Sequence, residues 1–477
     1  MLLKKSIQGI TWSFIDIIVN KLAVFLTTIY MARLLDPSVY GLIGMIAIFI
    51  SIGGSLVDTG SSVSLIRSPR ITSLDSSSVF VGSIIISVIL YGIFYVLAPF
   101  IADFYGYQIL TEIIRVYCLI FIILGFRSVQ YAMLIRSLEF RKNTLISIPA
   151  VLVSISVGVS LAHYGFGVWS LVWLYLSQQI VLTILYWGTS RERIRFKFSK
   201  KVFLKHFNFG YKLTLSGIMH TAFTNLNNIF IGKFYPLAQS GYYERAYSLN
   251  NYTSNLFVMM VTRVMLPVLS KIQGDKNKMV NIFAYLTRYS FFVMSFLMII
   301  IIVFSKEILL VLLGEKWLPA VPFLQILSLY TAFMPIHTFN VNILQIYGRS
   351  DYFLRAEICK KVFQGLAMLV LFQFGLYWLV SSLFFLSVFE LYINAYFVSK
   401  ILPVSVKQQL LNYSKELILF TVALVASFMV IRTRWAALYY WQTLLGVLLL
   451  IILVYTLFFY IFERKNLRYI LTLKKAM

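Results

Sequence analysis

The sequence predicts an all-α polytopic membrane protein with about 14 transmembrane helices, because each span needs ~20 residues to cross a bilayer core. Hydrophobic residues make up 60% of the 477 residues and charged residues only 12%, unlike the composition of a soluble globular domain. The apolar residues stand in long continuous runs, whereas a transmembrane β-barrel has short alternating segments. A repeat at an offset of 200 residues divides the chain into halves. We therefore predict two parallel six-helix lobes and a C-terminal helical hairpin, with both termini in the cytoplasm.

Apolar runs between clusters of charged and turn-forming residues give the positions of the spans. The runs lie near residues 10–32, 39–66, 78–101, 110–134, 144–163 and 167–188, then near 210–233, 245–271, 283–304, 320–347, 355–375 and 377–399, and finally near 414–431 and 438–461. The two lobes and the hairpin accordingly cover residues 1–205, 206–405 and 406–477. The first run is too long for the apolar core of a signal peptide and lacks a small-residue cleavage site. We expect it to remain as a span.

Lysine and arginine residues give the chain a formal net charge of +25 and are distributed asymmetrically. With the N-terminus inside, 27 of the 42 lie in the predicted inner segments and 8 in the outer segments. Because cations are retained on the cytoplasmic side, this excess predicts that both termini are inside. The positive charge therefore indicates topology and attraction to anionic membrane lipids, and no nucleic-acid partner is predicted.

The internal repeat supports the division into lobes. Leu26–Arg33 aligns with Leu226–Lys233 at an offset of 200, and Gly41 then falls on Gly241. Six spans is an even number, so each half starts and ends in the cytoplasm and the halves are parallel repeats. Transporters built in this way bind substrate between their halves, and the last two spans, which have no counterpart, are an appended hairpin.

Polar side chains follow one face of the first, second, seventh and eighth predicted helices, which the repeat makes pairwise equivalent. We expect these faces to line one central cavity. The candidate lining residues are Asp16, Asn20, Thr28, Ser55, Asp58, His220, Thr221, Asn225, Asn227, Asn228, Asn251 and Asn255. The alternative for each Ser, Thr or Asn is an interhelical hydrogen bond that holds neighbouring helices together.

Charged residues within the spans are the stronger candidates, because a charge at mid-membrane costs at least ~2.5 kcal/mol and is normally directed into a water-filled path or a pair. Lys21 and Arg263 are the two cavity cations that we predict, with snorkelling or an ion pair as the alternative. Asp16 and Asp58 are equally suited to proton coupling and to pairing with Lys21, Lys212 or Arg263.

Other ionisable residues lie in the second half. We expect His337 to be a packing residue more readily than a proton switch. Glu390 with Asn394, and Glu357 with Lys360 and Lys361, are predicted to be ion pairs in the inner halves of their spans.

The sequence does not predict an enzyme or a cofactor. No serine, cysteine or histidine arrangement supports nucleophilic catalysis, and no GxxxxGK[ST] phosphate loop occurs. Cys118 and Cys359 are too few for a disulfide framework or a metal site. The longest predicted outer loop is roughly Ser305–Pro319, which leaves no room for the large outer loops of membrane glycosyltransferases and polymerases.

Several short motifs lie at the ends of the predicted spans. The junction Met31–Gly41 reads MARLLDPSVYG, and the other segments are Asp58–Gly60, Leu65–Arg67, Phe166–Trp169 and Gly348–Asp351. These motifs resemble those of Wzx-type lipid-linked oligosaccharide flippases, in the polysaccharide-transport branch of the multidrug/oligosaccharidyl-lipid/polysaccharide (MOP) superfamily, whose pattern after the first helix is ARLLxPxxYG. The resemblance covers the whole chain and does not identify the sugar.

This resemblance implies a multi-pass protein of the bacterial cytoplasmic (inner) membrane that flips an undecaprenyl-diphosphate-linked oligosaccharide to the periplasmic leaflet. Lys21 and Arg263 would then contact the diphosphate, and the cavity asparagines would bind sugar hydroxyl groups. The implied partners are the lipid-linked oligosaccharide, membrane lipids, a coupling ion (proton or sodium) and the polysaccharide polymerase machinery. The predicted cavity is less charged than that of lipid II flippases, which disfavours a murein precursor as cargo.

The alternative function is a multidrug or cation antiporter of the related MATE-type branch. Such a protein would favour an acidic cavity, and the mixture of Asp16 and Asp58 with Lys21 and Arg263 argues against it.

Overall fold

The computed structural model describes residues 19–58, 60–190, 194, 196–431 and 440–463. These residues form helices and connecting turns, and they contain no strand, which confirms the all-α prediction. Ten helical segments in this part of the chain are long and apolar enough to cross a membrane. The chain is a multi-pass membrane protein.

The chain divides into two compact units, Met1–Glu244 and Arg245–Met477. In the first unit, helix α1 occupies residues 19–34. It is followed by α2 (Pro37–Asp58), α3 (Ser61–Arg67), α4 (Ser73–Tyr105), α5 (Ile109–Tyr117), α6 (Leu119–Arg136), α7 (Phe140–His163), α8 (Val168–Thr189), α9 (Lys200–Thr224) and α10 (Leu226–Phe234).

Helix α11 (Leu237–Lys271) begins in the first unit and continues into the second. The later helices are α12 (Lys276–Val303), α13 (Ser305–Leu312), α14 (Val321–Ala332), α15 (Met334–Ile346), α16 (Ser350–Leu371), α17 (Leu376–Ser399), α18 (Val406–Asn412), α19 (Ser414–Ile431) and α20 (Tyr440–Phe458).

Four predicted spans consist of two consecutive helices each, namely those near residues 39–66, 110–134, 210–233 and 320–347. The break between α2 and α3 has a local cause. Gly60 has a φ of 62°, which is the left-handed region that glycine adopts at no steric cost. A Cβ atom at this position would also lie 2.7 Å from Cα of Gly210, so the break brings α9 against α3.

Four predicted spans are not among the ten apolar segments, although each coincides with helix. They are α1, the pair α9 and α10, α11, and α16. The pair α9 and α10, helix α11 and helix α16 contain polar and charged residues. These residues lower the mean hydropathy of each helix. Whether these four helices cross the membrane therefore stays a prediction.

Apolar side chains are distributed as expected for helices surrounded by lipid. Each unit has its own buried core: Phe94 and Phe121 belong to the core of the first, and Phe291 and Phe333 to the core of the second. Large apolar side chains also cover the outside, and Phe100 is 64% exposed. Such a surface requires an apolar solvent, which supports membrane insertion.

Candidate functional site

Helix α1 carries three of the predicted site residues, Asn20, Lys21 and Thr28, and the first two have different surroundings. Lys21 is exposed. Asn20 donates a hydrogen bond from Nδ2 to Oγ of Ser147 on α7, at 3.0 Å. This contact links two helices of the first unit, which is the alternative role that the sequence left open for Asn20.

The break between α9 and α10 gathers several of the predicted asparagines. Asn225 donates from Nδ2 to the Thr221 carbonyl oxygen at 2.9 Å. Asn228 donates from Nδ2 to Oε2 of Glu244 at 3.1 Å, and its Nδ2 also lies 3.5 Å from Oδ1 of Asn225. Asn227 is 1% exposed, and its Oδ1 has no partner among the described residues. Asn225, Asn228 and Glu244 therefore form one amide and carboxylate cluster in the first unit.

Glu244 is a member of this cluster that the sequence did not single out. It follows the repeat glycine Gly241 by three residues, and the sequence gives no sign that a carboxylate there reaches back to α10. Amide and carboxylate groups side by side can donate to and accept from hydroxyl groups, which is the chemistry that a sugar requires.

The polar residues near the end of α2 are engaged within their own unit. Ser55 donates to the Ser51 carbonyl oxygen at 2.9 Å. Asp58 accepts through Oδ1 from the Ser62 backbone N–H at 3.3 Å, across the break that precedes α3. Arg127 on α6 interacts electrostatically with Asp58 and donates to Oε1 of Gln179. The sequence did not identify Arg127 as a partner of Asp58.

The remaining predicted site residues are distributed as follows. Asp16 lies outside the described residues, and so do the side chains of His220 and Arg263. Thr28, Thr221 and Asn251 are partly buried and Asn255 is exposed. The shared cavity and the diphosphate contacts of Lys21 and Arg263 stay predictions.

A buried chain of hydrogen bonds that the sequence did not predict joins α3, α4 and α9. Nδ1 of His206 lies 2.8 Å from Oγ of Ser64, and its Nε2 lies 3.0 Å from Oδ1 of Asp75. The order of groups is that of a nucleophilic triad, but His206 is 0% exposed and Ser64 is 7% exposed. A substrate cannot reach the Ser64 hydroxyl in this structure. These hydrogen bonds therefore connect the three helices.

The motif Gly348–Asp351 forms a compact turn between α15 and α16. Gly348 has a φ of 65°. Arg349 donates from Nε and Nη2 to the two carboxylate oxygens of Asp351, at 2.9 and 2.7 Å. Hydrogen bonding to Arg349 lowers the pKa of Asp351 to about 2. The motif is thus a structural turn with an exposed bidentate ion pair.

The second unit contains a separate group of buried ionisable residues. Nε2 of His337 on α15 lies 3.4 Å from Oε2 of Glu390 on α17. Lys360 and Glu357, one turn apart on α16, form an ion pair. The sequence predicted the second pair. It was wrong to pair Glu390 with Asn394, whose amide atoms have no hydrogen-bond partner among the described residues, and it did not connect Glu390 with His337.

The family model described as "Polysaccharide biosynthesis protein" matches residues 30–322, which is more than half of the chain. The chain belongs to this family. Among curated proteins, this family member is 25% identical over 361 residues to the lipopolysaccharide biosynthesis protein WzxC of Escherichia coli K12, covering 75% of this chain and 73% of the relative. It is 26% identical over 370 residues to the teichuronic acid biosynthesis protein TuaB of Bacillus subtilis 168, covering 73% of this chain and 75% of the relative.

Two solved structures of transporters have the same fold as this family member. The lipid II flippase MurJ in an inward closed conformation superposes with a TM-score of 0.71 at 17% identity, over 95% of this chain and 99% of that one. An inward-facing multidrug resistance MATE family transporter of the MOP superfamily superposes with a TM-score of 0.63 at 15% identity, over 82% of this chain and 98% of that one. At these identities the likeness establishes the fold alone.

Proposed function

We propose that this member of the polysaccharide biosynthesis protein family flips an undecaprenyl-diphosphate-linked oligosaccharide from the cytoplasmic to the periplasmic leaflet by alternating access. The cargo would be an O-antigen, capsule or exopolysaccharide repeat unit. The observation that carries the proposal is the match, over about three quarters of the chain, to relatives named for lipopolysaccharide and teichuronic acid biosynthesis. The fold shared with a lipid II flippase supports a translocation step rather than catalysis.

The finer architecture is part of the proposal. It consists of 14 spans in two parallel six-helix lobes, residues 1–205 and 206–405, with the hairpin and basic tail in 406–477. Both termini are in the cytoplasm, and the protein resides in the bacterial cytoplasmic membrane. The sequence repeat and the excess of inner cations support this arrangement.

The residue roles are proposed on chemical grounds. A diphosphate needs cationic hydrogen-bond donors, and Lys21 and Arg263 are the predicted cations. Hydroxyl groups need mixed donors and acceptors, which the cluster of Asn225, Asn228 and Glu244 offers. A coupling ion and the polysaccharide polymerase machinery complete the proposed partners.

The test is substitution of Lys21 in cells that depend on this chain for surface polysaccharide. Lys21→Ala should reduce the polysaccharide while membrane abundance stays normal, because an exposed lysine contributes little to folding. Lys21→Arg should restore much of it, since a guanidinium also binds phosphate oxygens. The matched control is Leu22→Ala, which changes the neighbouring exposed side chain. Normal polysaccharide in Lys21→Ala would reject the diphosphate role of this residue.

A multidrug or cation antiporter is the second candidate function, because the fold is also that of a MATE transporter. The same cells decide between the two. Loss of the whole chain should abolish surface polysaccharide and leave resistance to cationic drugs unchanged if the flippase proposal is right. The opposite pattern would favour the antiporter.

A further inference from the structure

The second unit holds a pair of ionisable groups that the proposed substrate contacts do not use. Glu390 and His337 are each only 8% exposed, and their facing atoms lie 3.4 Å apart without a hydrogen bond. Glu390 is nine residues from the end of α17 at Ser399, which corresponds to about 14 Å of helix. An ionisable group at such depth in a membrane protein is costly, and it usually marks an ion or proton path.

The titratable groups around this pair come from three neighbouring helices, and the charged ones among them all lie on α16. The titratable groups that interact with it or with each other are Tyr247 on α11, Tyr330 on α14, and Glu357, Lys360 and Lys361 on α16. Lys360 is 5% exposed and is paired with Glu357. With both carboxylates and both ammonium groups ionised and His337 neutral, the group has no net charge.

Charges on the other helices that pack nearby are engaged or exposed. Helix α12 carries Arg288, whose Nε lies 3.1 Å from Oε1 of Glu416 on α19. Helix α18 packs against α17, and its Lys407 is exposed.

Unsatisfied polar atoms accompany the ionisable pair. Asn394, four residues after Glu390 and so on the same face of α17, is 0% exposed, and neither atom of its amide has a partner among the described residues. The same is true of Nδ1 of His337 and of Oγ of Ser387. Buried polar atoms without protein partners cost several kcal/mol in a membrane interior and are normally satisfied by water. The interior around Glu390 is therefore suited to proton exchange with water.

We infer that Glu390 and His337 form a proton-binding site inside the second unit, and that this proton is the coupling ion of the proposed transport cycle. The inference rests on the proposed function. A proton from water on one side of the membrane binds between Oε2 of Glu390 and Nε2 of His337, which adds one positive charge to the group. The same proton leaves to water on the other side, so no charge or atom is left over.

The ligands available in the group favour a proton over a sodium ion. A bound sodium ion would need several oxygen ligands, and one carboxylate, that of Glu357, already holds the Lys360 ammonium. The second carboxylate, that of Glu390, has the His337 imidazole as its neighbour, and a protonated carboxyl group can donate a hydrogen bond to a neutral imidazole without any further ligand.

The first experiment measures coupling in proteoliposomes that contain the full chain and a fluorescent polyprenyl-diphosphate disaccharide. With the membrane potential clamped, a pH difference of one unit should support up to about a tenfold difference in probe between leaflets if one proton moves per cycle. Glu390→Gln should reduce this ratio to about 1 while probe still equilibrates without a gradient. Glu416→Gln, a buried carboxylate of the same unit outside the group, should retain the pH-driven ratio.

A sodium gradient that drives accumulation in place of the pH gradient would overturn the inference. So would a Glu390→Gln variant that keeps the full pH-driven ratio. A purely structural ion pair predicts a third pattern, in which Glu390→Gln loses gradient-free equilibration together with abundance, and this pattern would also overturn it.

The second experiment needs no substrate and separates the inference from the proposed function. Acid titration of the detergent-solubilised protein between pH 8 and pH 5 should bind about one proton more in the wild type than in Glu390→Gln. His337→Gln should show the same deficit. Equal titration curves would overturn the proton site, whether or not the chain is a flippase. A clear difference without any probe movement would retain the site and reject the flippase proposal.

Discussion

Gly241 packs so closely against Pro37 that a Cβ atom on the glycine would overlap the Pro37 carbonyl oxygen. The reciprocal contact exists as well, because a Cβ atom on Gly41 would overlap the carbonyl oxygen of Leu237. Both pairs of equivalent positions are separated by 200 residues, which is the offset of the internal repeat. The first turns of α2 and α11 therefore cross by a local twofold relationship, as two copies of one element would.

This crossing predicts that Gly241→Ala destabilises the protein. The added methyl group has no space against the Pro37 backbone, and overpacking of this kind costs about 1–3 kcal/mol. We expect a lower melting temperature in detergent and a smaller folded fraction in membranes. The control is Gly92→Ala in α4, where nothing lies within 4 Å and alanine favours helix. Wild-type melting of Gly241→Ala would contradict the crossing.

The buried connection through His206 predicts a local effect at the start of α9. His206→Ala would leave Ser64 and Asp75 without this partner, and an unsatisfied buried polar group costs about 1–3 kcal/mol. The start of α9 should then separate more often from α4, where Ser78 accepts a hydrogen bond from the Ser199 N–H at 3.1 Å.

Thiol labelling measures this opening. In a background without Cys118 and Cys359, a cysteine in place of Ser78, which is 0% exposed, should react faster with a soluble maleimide when His206 is alanine. His206→Gln keeps a donor and an acceptor and should slow the reaction again. Equal labelling rates in all three proteins would show that the connection does not hold α9.

The positions of the helices could be predicted from the sequence because each apolar run has the length of a membrane span. The breaks within the runs were less predictable. Gly60 marks one of them, but Cys118, between α5 and α6, has ordinary helical angles and no glycine or proline beside it. Contacts such as Asn20 with Ser147 join residues 127 positions apart, and no local pattern specifies them.

The electrostatic interaction between Asp58 and Arg127 predicts compensation between two substitutions. Arg127→Ala removes the donor to Gln179 and leaves the carboxylate without this cation, so membrane abundance should fall. Adding Asp58→Asn should restore part of the abundance, because the uncompensated charge is then gone. Additive losses in the double variant would indicate that the two residues act independently.

The excess of inner cations predicts the topology directly. A reporter fused after Lys205 should be cytoplasmic, and reporters inserted near Pro236 and Glu315 should be external. Enzymatic reporters and accessibility to a membrane-impermeant reagent both measure on which side of the membrane each position lies. An external position for Lys205 would contradict the parallel-repeat architecture together with the orientation.

The surroundings of α1 predict a labelling order for three adjacent positions. Maleimide reacts with thiolate, so labelling requires water, and a charged reagent does not enter lipid. A cysteine in place of Lys21 should react fastest if this position faces an aqueous cavity, whereas a cysteine in place of Leu22, 55% exposed and apolar in the native chain, should remain unreactive in the lipid. A cysteine in place of Asn20 should react at an intermediate rate, because the native side chain is held against Ser147 at 3.0 Å and the position is partly buried.

The three variants are compared in intact cells and after detergent solubilisation, which should make the Leu22 position reactive. Equal reactivity of the Lys21 and Leu22 positions in intact cells would mean that no aqueous cavity borders α1, and Lys21 would then have no access to a diphosphate.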